Sequence, residues 1–543
     1  MKCISLLALL TLTAAMANAQ PVVSAVANAA SNTLNGLPGS SLAQGSIGVA
    51  YGRNMGPASI VVASTLPWPT TLSGTSAQIV AGGQTINLPL YYTSATQIAF
   101  LVPSNTPAAP PAGTIRVTYN GQTSAASPIP ITASNLGIFT LNSRGSGPAI
   151  VTYPDYSLVS RTRDANCGGP STNCGAANPG PTLILWATGL GAVSGNETTT
   201  PLPGDMTNHP LRLWIGGVSA DIVYRGRSGC CVALDQIVFV VPDTVSGCNV
   251  PIVAQIGNLI SNYATIAIAP TGSTCTPYIN FLPANFLAQL SAQASPSLGF
   301  IQFERLGDTV DRADAGFFKL NGSGQLLVDA LESPPPGACM ATTFFNAPGP
   351  PDLFSTLPLS LLDAGASLAV SGPGGRNRTM SKTPDGGYSA RFGDTSAGNY
   401  LDPGVYTITG TGGRDIGSFT TSVTVPQPVV WTTPLIVVRA DGLTVNWTGG
   451  DPNGFLEIEV RGLVFTAPGS NTVLAGVRAT CLAPASAGTF FIPPTVFLTM
   501  PPVPSGLINV VGRSAPATFT ASGLHGGTAF YYQEAAGYRN GFR

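Results

Sequence analysis

Nine cysteines, two histidines and an acidic run near residue 310 are the residues whose types and spacing could do chemistry in this chain. The histidines come first, because a base that titrates near neutrality is most often an imidazole. His209 lies in "GDMTNHPLRL" and His525 in "GLHGGTAF", both turn-like, and neither has a second imidazole or a cysteine at ligand spacing. No HExxH, GxSxG or phosphate-loop pattern occurs, so zinc and serine-hydrolase chemistry lack their minimal parts. Asp308, Asp311 and Asp314 in "GDTVDRADAG" recur every third residue, whereas a calcium loop takes oxygen ligands from alternate positions, so a solvated turn is expected there. A glycosidase needs only two carboxyl groups brought together by the fold, and that route stays open. The sequence assigns no catalytic residue, no metal ligand and no cofactor.

The cysteines call for a different chemistry. The first residues, "MKCISLLALLTLTAAMANAQ", join a basic Lys2 to an apolar run and a small-residue end, the pattern of an export leader cleaved between Ala19 and Gln20. Cys3 falls in that leader, and the eight remaining cysteines, in an exported chain, read as four disulfides. Cys167 and Cys174 enclose a loop rich in Gly, Pro and Ser and are expected to close it, at a spacing wrong for a CxxC redox pair. "DQIVFVVP" runs away from Cys230 and Cys231, the chain turns at Cys248, and a return and a further strand lead to Cys275. An eight-residue strand spans roughly 26 Å, far beyond the roughly 7 Å reach of a disulfide between Cα atoms. The favoured pairs are therefore Cys248 with Cys275 and Cys230 with Cys231, while a curved strand or long loop would still allow Cys230 to reach Cys248. Cys339 and Cys481 pair by elimination.

The elements that must position these residues are strands. Hydrophobic residues make up 44% of the chain, enough for a core, while 64 glycines and 48 prolines punctuate it too densely for long helices. Charged residues are only 9%, and the formal net charge is −1, so there is no basic field for a nucleic acid. No apolar run after the leader approaches the roughly 18 residues of a membrane span. An internal repeat organises the first half. "SIGVAYGRNMGP" (46–57) parallels "TLILWATGLGAV" (182–193), and "SAQIVAGGQTINLPLYY" (76–92) parallels "LRLWIGGVSADIVYRG" (211–226). "TQIAFLVP" (96–103) parallels "DQIVFVVP" (235–242), and hairpins turning at a glycine follow in both copies. Six or seven short strands per copy, each with one apolar face, are expected to stack as two sheets in an immunoglobulin-like sandwich, with a closed barrel as the alternative.

In order along the chain stand "NAASNTLNG", "WPTTLSGTSAQI", "YYTSATQIAFLVP", "NLGIFT", "ATGLG" and "QIVFVVP". On these motifs, residues 22–268 resemble the tandem IPT/TIG-like, Ig-fold modules of secreted proteins from soil acidobacteria, a family that implies a fold and little about activity. The second half lacks the repeat. "ASLAVSGPGG", "GVYTITGTGG" and "GSFTTSVTVP" alternate polar and apolar residues, and "LTVNWTGGDPNGFLEIEV" looks like the early strands of a fibronectin III-like or Ig-like domain.

The expected plan is a leader (1–19), a first Ig-like module (20–134), a second (135–275), a linker or short helix (276–298), a third β-sandwich (299–426) and an Ig- or fibronectin III-like fourth (427–543). The fold class is all-β. The expected role is non-enzymatic: structural, adhesive or binding, at or outside the cell surface, toward a surface polymer or protein partner, with no nucleic acid and no transmembrane segment. The alternative is a carbohydrate-active protein, binding glycan or hydrolysing it with carboxylates.

Overall fold

The computed structural model describes residues 19–33, 35–108, 113–161, 174–196, 204–307, 310–345, 357–394, 401–432, 434–467, 470 and 472–543. Cys167, Asp308 and the expected leader, apart from Ala19, lie outside these residues.

Two sheets share one core in each of the first two units. In the first, Val22–Asn28, Ile47–Arg53, Gln97–Leu101, Leu90–Thr93 and Val61–Val62 form one sheet. Gly113–Tyr119 and Thr75–Ala81 carry the other. Ala50, Ile98 and Phe100 of the first sheet meet Ile79, Ile115 and Val117 of the second in a single buried cluster. The second unit repeats this plan with Thr182–Thr188 beside Asp235–Val240, facing Leu211–Ile215 and Gly247–Ile256. The repeated motifs thus occupy equivalent places: Ile47 pairs with Leu101 in one copy, and Thr182 with Val240 in the other. Each copy turns a hairpin on two glycines, Gly82-Gly83 and Gly216-Gly217, all four at φ between +54° and +84°. Two successive left-handed residues match the right-handed twist of the strands, and only glycine takes both without strain.

The second half is different. One continuous sheet runs from Cys339–Phe345 through Val473–Pro484, Phe455–Phe465, Val503–Arg513 and Gly526–Phe542 to Ser297–Leu306, Val310–Leu320 and Tyr388–Asp394, then on to Phe419–Val425. The division expected near 426 therefore meets no break in the sheet. The physical reason is the strand Gly526–Phe542, which pairs in parallel with Ser297–Leu306 from Leu298↔Gly526 to Leu306↔Glu534 and antiparallel with Val503–Arg513. No local pattern announces such a pairing, because its partners are more than two hundred residues apart. The far end of the sheet folds back, stacking Phe419 on Phe519 with ring centroids 5.0 Å apart. A smaller sheet of Val430–Thr432, Leu443–Thr448 and Thr489–Ile492 covers the other end and buries Trp431 and Trp447.

A helix, Ala284–Ser291, does fall within the expected linker. A second, Gly324–Leu331, was not anticipated: "GQLLVDAL" contains three leucines, a glutamine and an alanine, all good helix formers, and its Leu327 and Val328 pack with Leu287, Leu290 and Phe318. The "GDTVDRADAG" run is also not a solvated turn. From Val310 it is a strand, with Asp311 buried against Arg305 at 2.9 Å and Asp314 on the opposite face. Alternating acids and arginines suit a strand when each finds a charge on its neighbour.

Cys248 is bonded to Cys275, Cys339 to Cys481 and Cys230 to Cys231. Cys174 is buried and disulfide-bonded.

Module two meets the second half through an ionic joint. Arg161 Nη1 lies 2.8 Å from Asp329, and Nη2 lies 2.5 Å from Glu332, whose side chain is 1% exposed. Burial pushes the Glu332 carboxyl up to about 7 from the ordinary 4.5; Arg161 pulls it down and Asp329 up, but burial dominates. A folded pKa above the unfolded one adds stability below about pH 4.5 that is lost as pH rises through about 7. The chain is therefore expected to lose on the order of 3 kcal/mol between those limits from this group. Glu332→Gln should flatten that slope in a denaturation midpoint measured from pH 4.5 to 8; an unchanged slope would locate the titration elsewhere.

Candidate functional site

Four neighbouring strands of the long sheet alternate between core and solvent faces. Ile301, Phe303, Ala313 and Ala315 point into the core, so the residues between them face outward. Register then aligns side chains in rows. Gln302 stands opposite Asp314 on one side and Phe530 on the other; Glu304 stands opposite Arg312 and Tyr532, and Tyr532 opposite Arg513. Above them passes the segment leading into helix Ala284–Ser291, held down by Thr528 Oγ1, which donates to the Phe281 carbonyl at 3.1 Å. The result is an open groove of about 500 Å³.

One wall is aromatic. Phe300 stacks on Phe318 at 5.3 Å, and Phe281 meets Phe300 at 5.7 Å and Phe530 at 5.4 Å. The Arg513 guanidinium lies 4.9 Å from the Tyr532 ring centroid and within 6.0 Å of Phe281 and Phe530, and it reaches Glu457 at 3.3 Å. Its Nε finds no acceptor among the described residues. The other wall is charged. Arg312 Nε lies 2.5 Å from Glu304 Oε2 and 2.8 Å from Asp314 Oδ2, so those two oxygens are no more than 5.3 Å apart. Gln302 donates to the second Glu304 oxygen. The hydrogen bond to Glu304, first among the causes, holds the Arg312 guanidinium above its ordinary range and fully charged. At the floor, opposite Phe300, Gly316 has nothing within 4 Å of where a side chain would begin.

Apolar ring faces beside fixed acceptors and planar donors are what a pyranose needs, because a sugar shows C–H faces on one side and hydroxyls at its edge. The two carboxylates come at least as close as the roughly 5–5.5 Å of a retaining glycosidase. Hydrolysis, however, requires one carboxyl free to protonate the leaving oxygen, and both of these are engaged by Arg312.

Of the acids singled out in the sequence, Asp314 reaches the groove and Asp311 faces the core, where it also accepts from the Leu401 N–H. Neither histidine lines it. His209 Nδ1 pairs with Ser134 at 3.1 Å, and burial and then Arg227 hold its ring below the usual range. His525 Nδ1 accepts from the Ser297 N–H at 2.9 Å. Trp186 and Trp447 spend their N–H groups on Thr152 and on the Ala485 carbonyl inside cores. Trp68 stacks on Tyr91 at 4.9 Å. Phe281, Phe300, Gln302, Glu304, Arg312, Arg513 and Phe530 were missed by sequence reasoning. The signal was present in "FIQFE", "RADAGFF" and "FYYQE", where aromatic and charged residues share one strand face. Among the described residues no three His, Cys, Asp or Glu gather as a metal site, and no helix is long and apolar enough to cross a membrane.

No family model matches the chain, including residues 22–268, and no curated protein matches it. Solved structures do. One is SGBP-B of the Bacteroides ovatus mixed-linkage glucan utilization locus, in complex with a mixed-linkage heptasaccharide: 12% identity, 78% of this chain and 88% of that one, TM-score 0.15. Another is surface layer protein SbsC, domains 4–9, at 10% identity over 96% and 65% of the two chains, TM-score 0.16. A third, the BSP domain of a biofilm-associated protein, matches at 9% identity over 95% and 96%, TM-score 0.13. At these TM-scores no function passes from any of them to this chain. The chain is an all-β, multi-sheet protein of tandem sandwich-like units.

Proposed function

We propose that this is an exported surface protein that binds a glycan, without turning it over, in the groove between Phe281, Phe300, Glu304, Arg312, Asp314 and Arg513. The carrying observation is the groove itself, which sets stacked phenylalanines across from a bridged Glu304–Arg312–Asp314 array over an open Gly316 floor. Fixed, mutually paired charges suit recognition of hydroxyl edges, since they cost no reorganisation when ligand arrives.

The test is retention of the full chain on immobilised neutral and acidic polysaccharides, followed by titration calorimetry on any that retain it. Phe300→Ala is expected to weaken binding about tenfold, the equivalent of about 1.4 kcal/mol. Gly316→Leu fills the floor without meeting other atoms at its first carbon, and is expected to abolish binding with the fold intact. Tyr91→Ala, on the first module, should change nothing. Retention insensitive to both groove variants would overturn the reading, and release of new reducing ends would replace binding with hydrolysis.

A further inference from the structure

The loop around the vicinal cysteines does more than turn the chain between two strands of module two: it is the joint between the first two modules. Val232 and Ala233 are buried against Leu101 of module one, with Ile47 and Trp68 packed alongside. Arg227, 1% exposed, pairs with the buried Asp235 and donates to the Gly45 carbonyl of module one at 2.8 Å and to the Gly191 carbonyl at 2.6 Å. A second thread runs through Thr188: its Oγ1 donates to the Ala233 carbonyl at 2.7 Å and accepts from the Ile47 N–H of module one at 3.0 Å. Both threads depend on the shape of the Ser228–Leu234 turn, which Ser228 closes by donating its N–H to the Leu234 carbonyl at 2.8 Å.

That shape is held against a local cost. Ala233 sits at φ +56°, a left-handed conformation in which the Cβ of an L-residue crowds the backbone. Bonding Cys230 to Cys231 confines the peptide between them to an eight-membered ring and removes most of the loop's alternatives. Accessibility singles out the same bond. Cys230 and Cys231 are exposed, whereas Cys174, Cys248, Cys275, Cys339 and Cys481 are all buried.

We propose that the Cys230–Cys231 disulfide is a site of thiol–disulfide exchange whose reduction loosens the joint between modules one and two. The co-reactant is a dithiol. One of its thiolates attacks a sulfur of the pair, the protein S–S bond breaks and a mixed disulfide forms. The second thiol then closes the reductant's own disulfide and frees both cysteines, two electrons and two protons having passed to the protein. The released loop lets Ala233 leave its left-handed φ, and its carbonyl withdraws from Thr188.

The experiment titrates the full chain with dithiothreitol, traps thiols with iodoacetamide, and follows hydrogen exchange by mass spectrometry. Cys230 and Cys231 are expected to be alkylated at reductant levels that leave Cys248–Cys275 and Cys339–Cys481 intact. At that point exchange in segments 43–48 and 227–235 should rise about tenfold, with segment 182–187 unchanged. The double variant Cys230→Ser/Cys231→Ser should exchange at the faster rate without reductant and show no further response. Should that variant not fold, the titration of the unaltered chain alone decides. Simultaneous reduction of the buried pairs, or exchange in 43–48 that ignores the state of the vicinal pair, would overturn the proposal.

Discussion

An Arg227→Met variant is expected to lose about 3–5 kcal/mol, because it strands a buried carboxylate instead of removing a pair. Asp235 is fully buried, and in the variant it keeps the Leu190 N–H at 2.7 Å but loses the guanidinium that balances its charge. Gly45 and Gly191 would also lose the guanidinium that their carbonyls now share. The measurement is the denaturant midpoint of the transition that exposes Trp186, a core residue of module two. Arg227→Met/Asp235→Leu should recover a good part of the loss, since replacing both charges by apolar groups is often neutral or better. A single variant with an unshifted midpoint would mean that water, and not Arg227, satisfies Asp235.

The second large effect belongs to Cys339 and Cys481. The two stand directly opposite in neighbouring strands, Cα atoms 4.0 Å apart, and close a loop with a sequence separation of 142. Chain-entropy arithmetic for a loop of this size gives about 5 kcal/mol as an upper value, and removal of native disulfides typically costs about 2–5 kcal/mol. Cys339→Ser/Cys481→Ser should therefore lower the midpoint of the transition that exposes Trp431 and Trp447, and leave the transition of the first two modules in place. Among the described residues the strand Cys339–Phe345 is the edge of the long sheet and pairs with Val473–Pro484 alone. Loss of the bond should also appear as faster hydrogen exchange along that edge.

The two halves of the chain were unequally legible. In the first half, strands, hairpins and repeat could be read because each is a local pattern: alternation along "QIVFV", a Gly-Gly turn, a recurrence of both. The second half hid its architecture because its central feature is non-local. Nothing in "GGTAFYYQEAAGYRNGF" says that it will lie beside "SLGFIQFERL". The groove was lost with it, since Arg513, Phe530, Glu304 and Arg312 become neighbours only through that pairing. Asp314 shows the same limit on a smaller scale. Its three-residue spacing from Asp311 suggests a turn when seen in sequence alone, whereas on a strand that spacing puts the two on opposite faces, one in the core and one in the groove.

The parallel pairing of Gly526–Phe542 with Ser297–Leu306 also fixes an order of events during synthesis. The two repeated modules are made of contiguous sequence, and each can complete its sheets soon after its own residues emerge. The second half cannot. Strands 297–306 and 503–513 each wait with an unpaired edge until residues 526–542 arrive to fill the gap between them. A ribosome that stalls or terminates before residue 526 would release a polypeptide with two finished modules and two open, apolar sheet edges, a form prone to join its own kind. Closure of the long sheet therefore depends on one seventeen-residue strand, Gly526–Phe542.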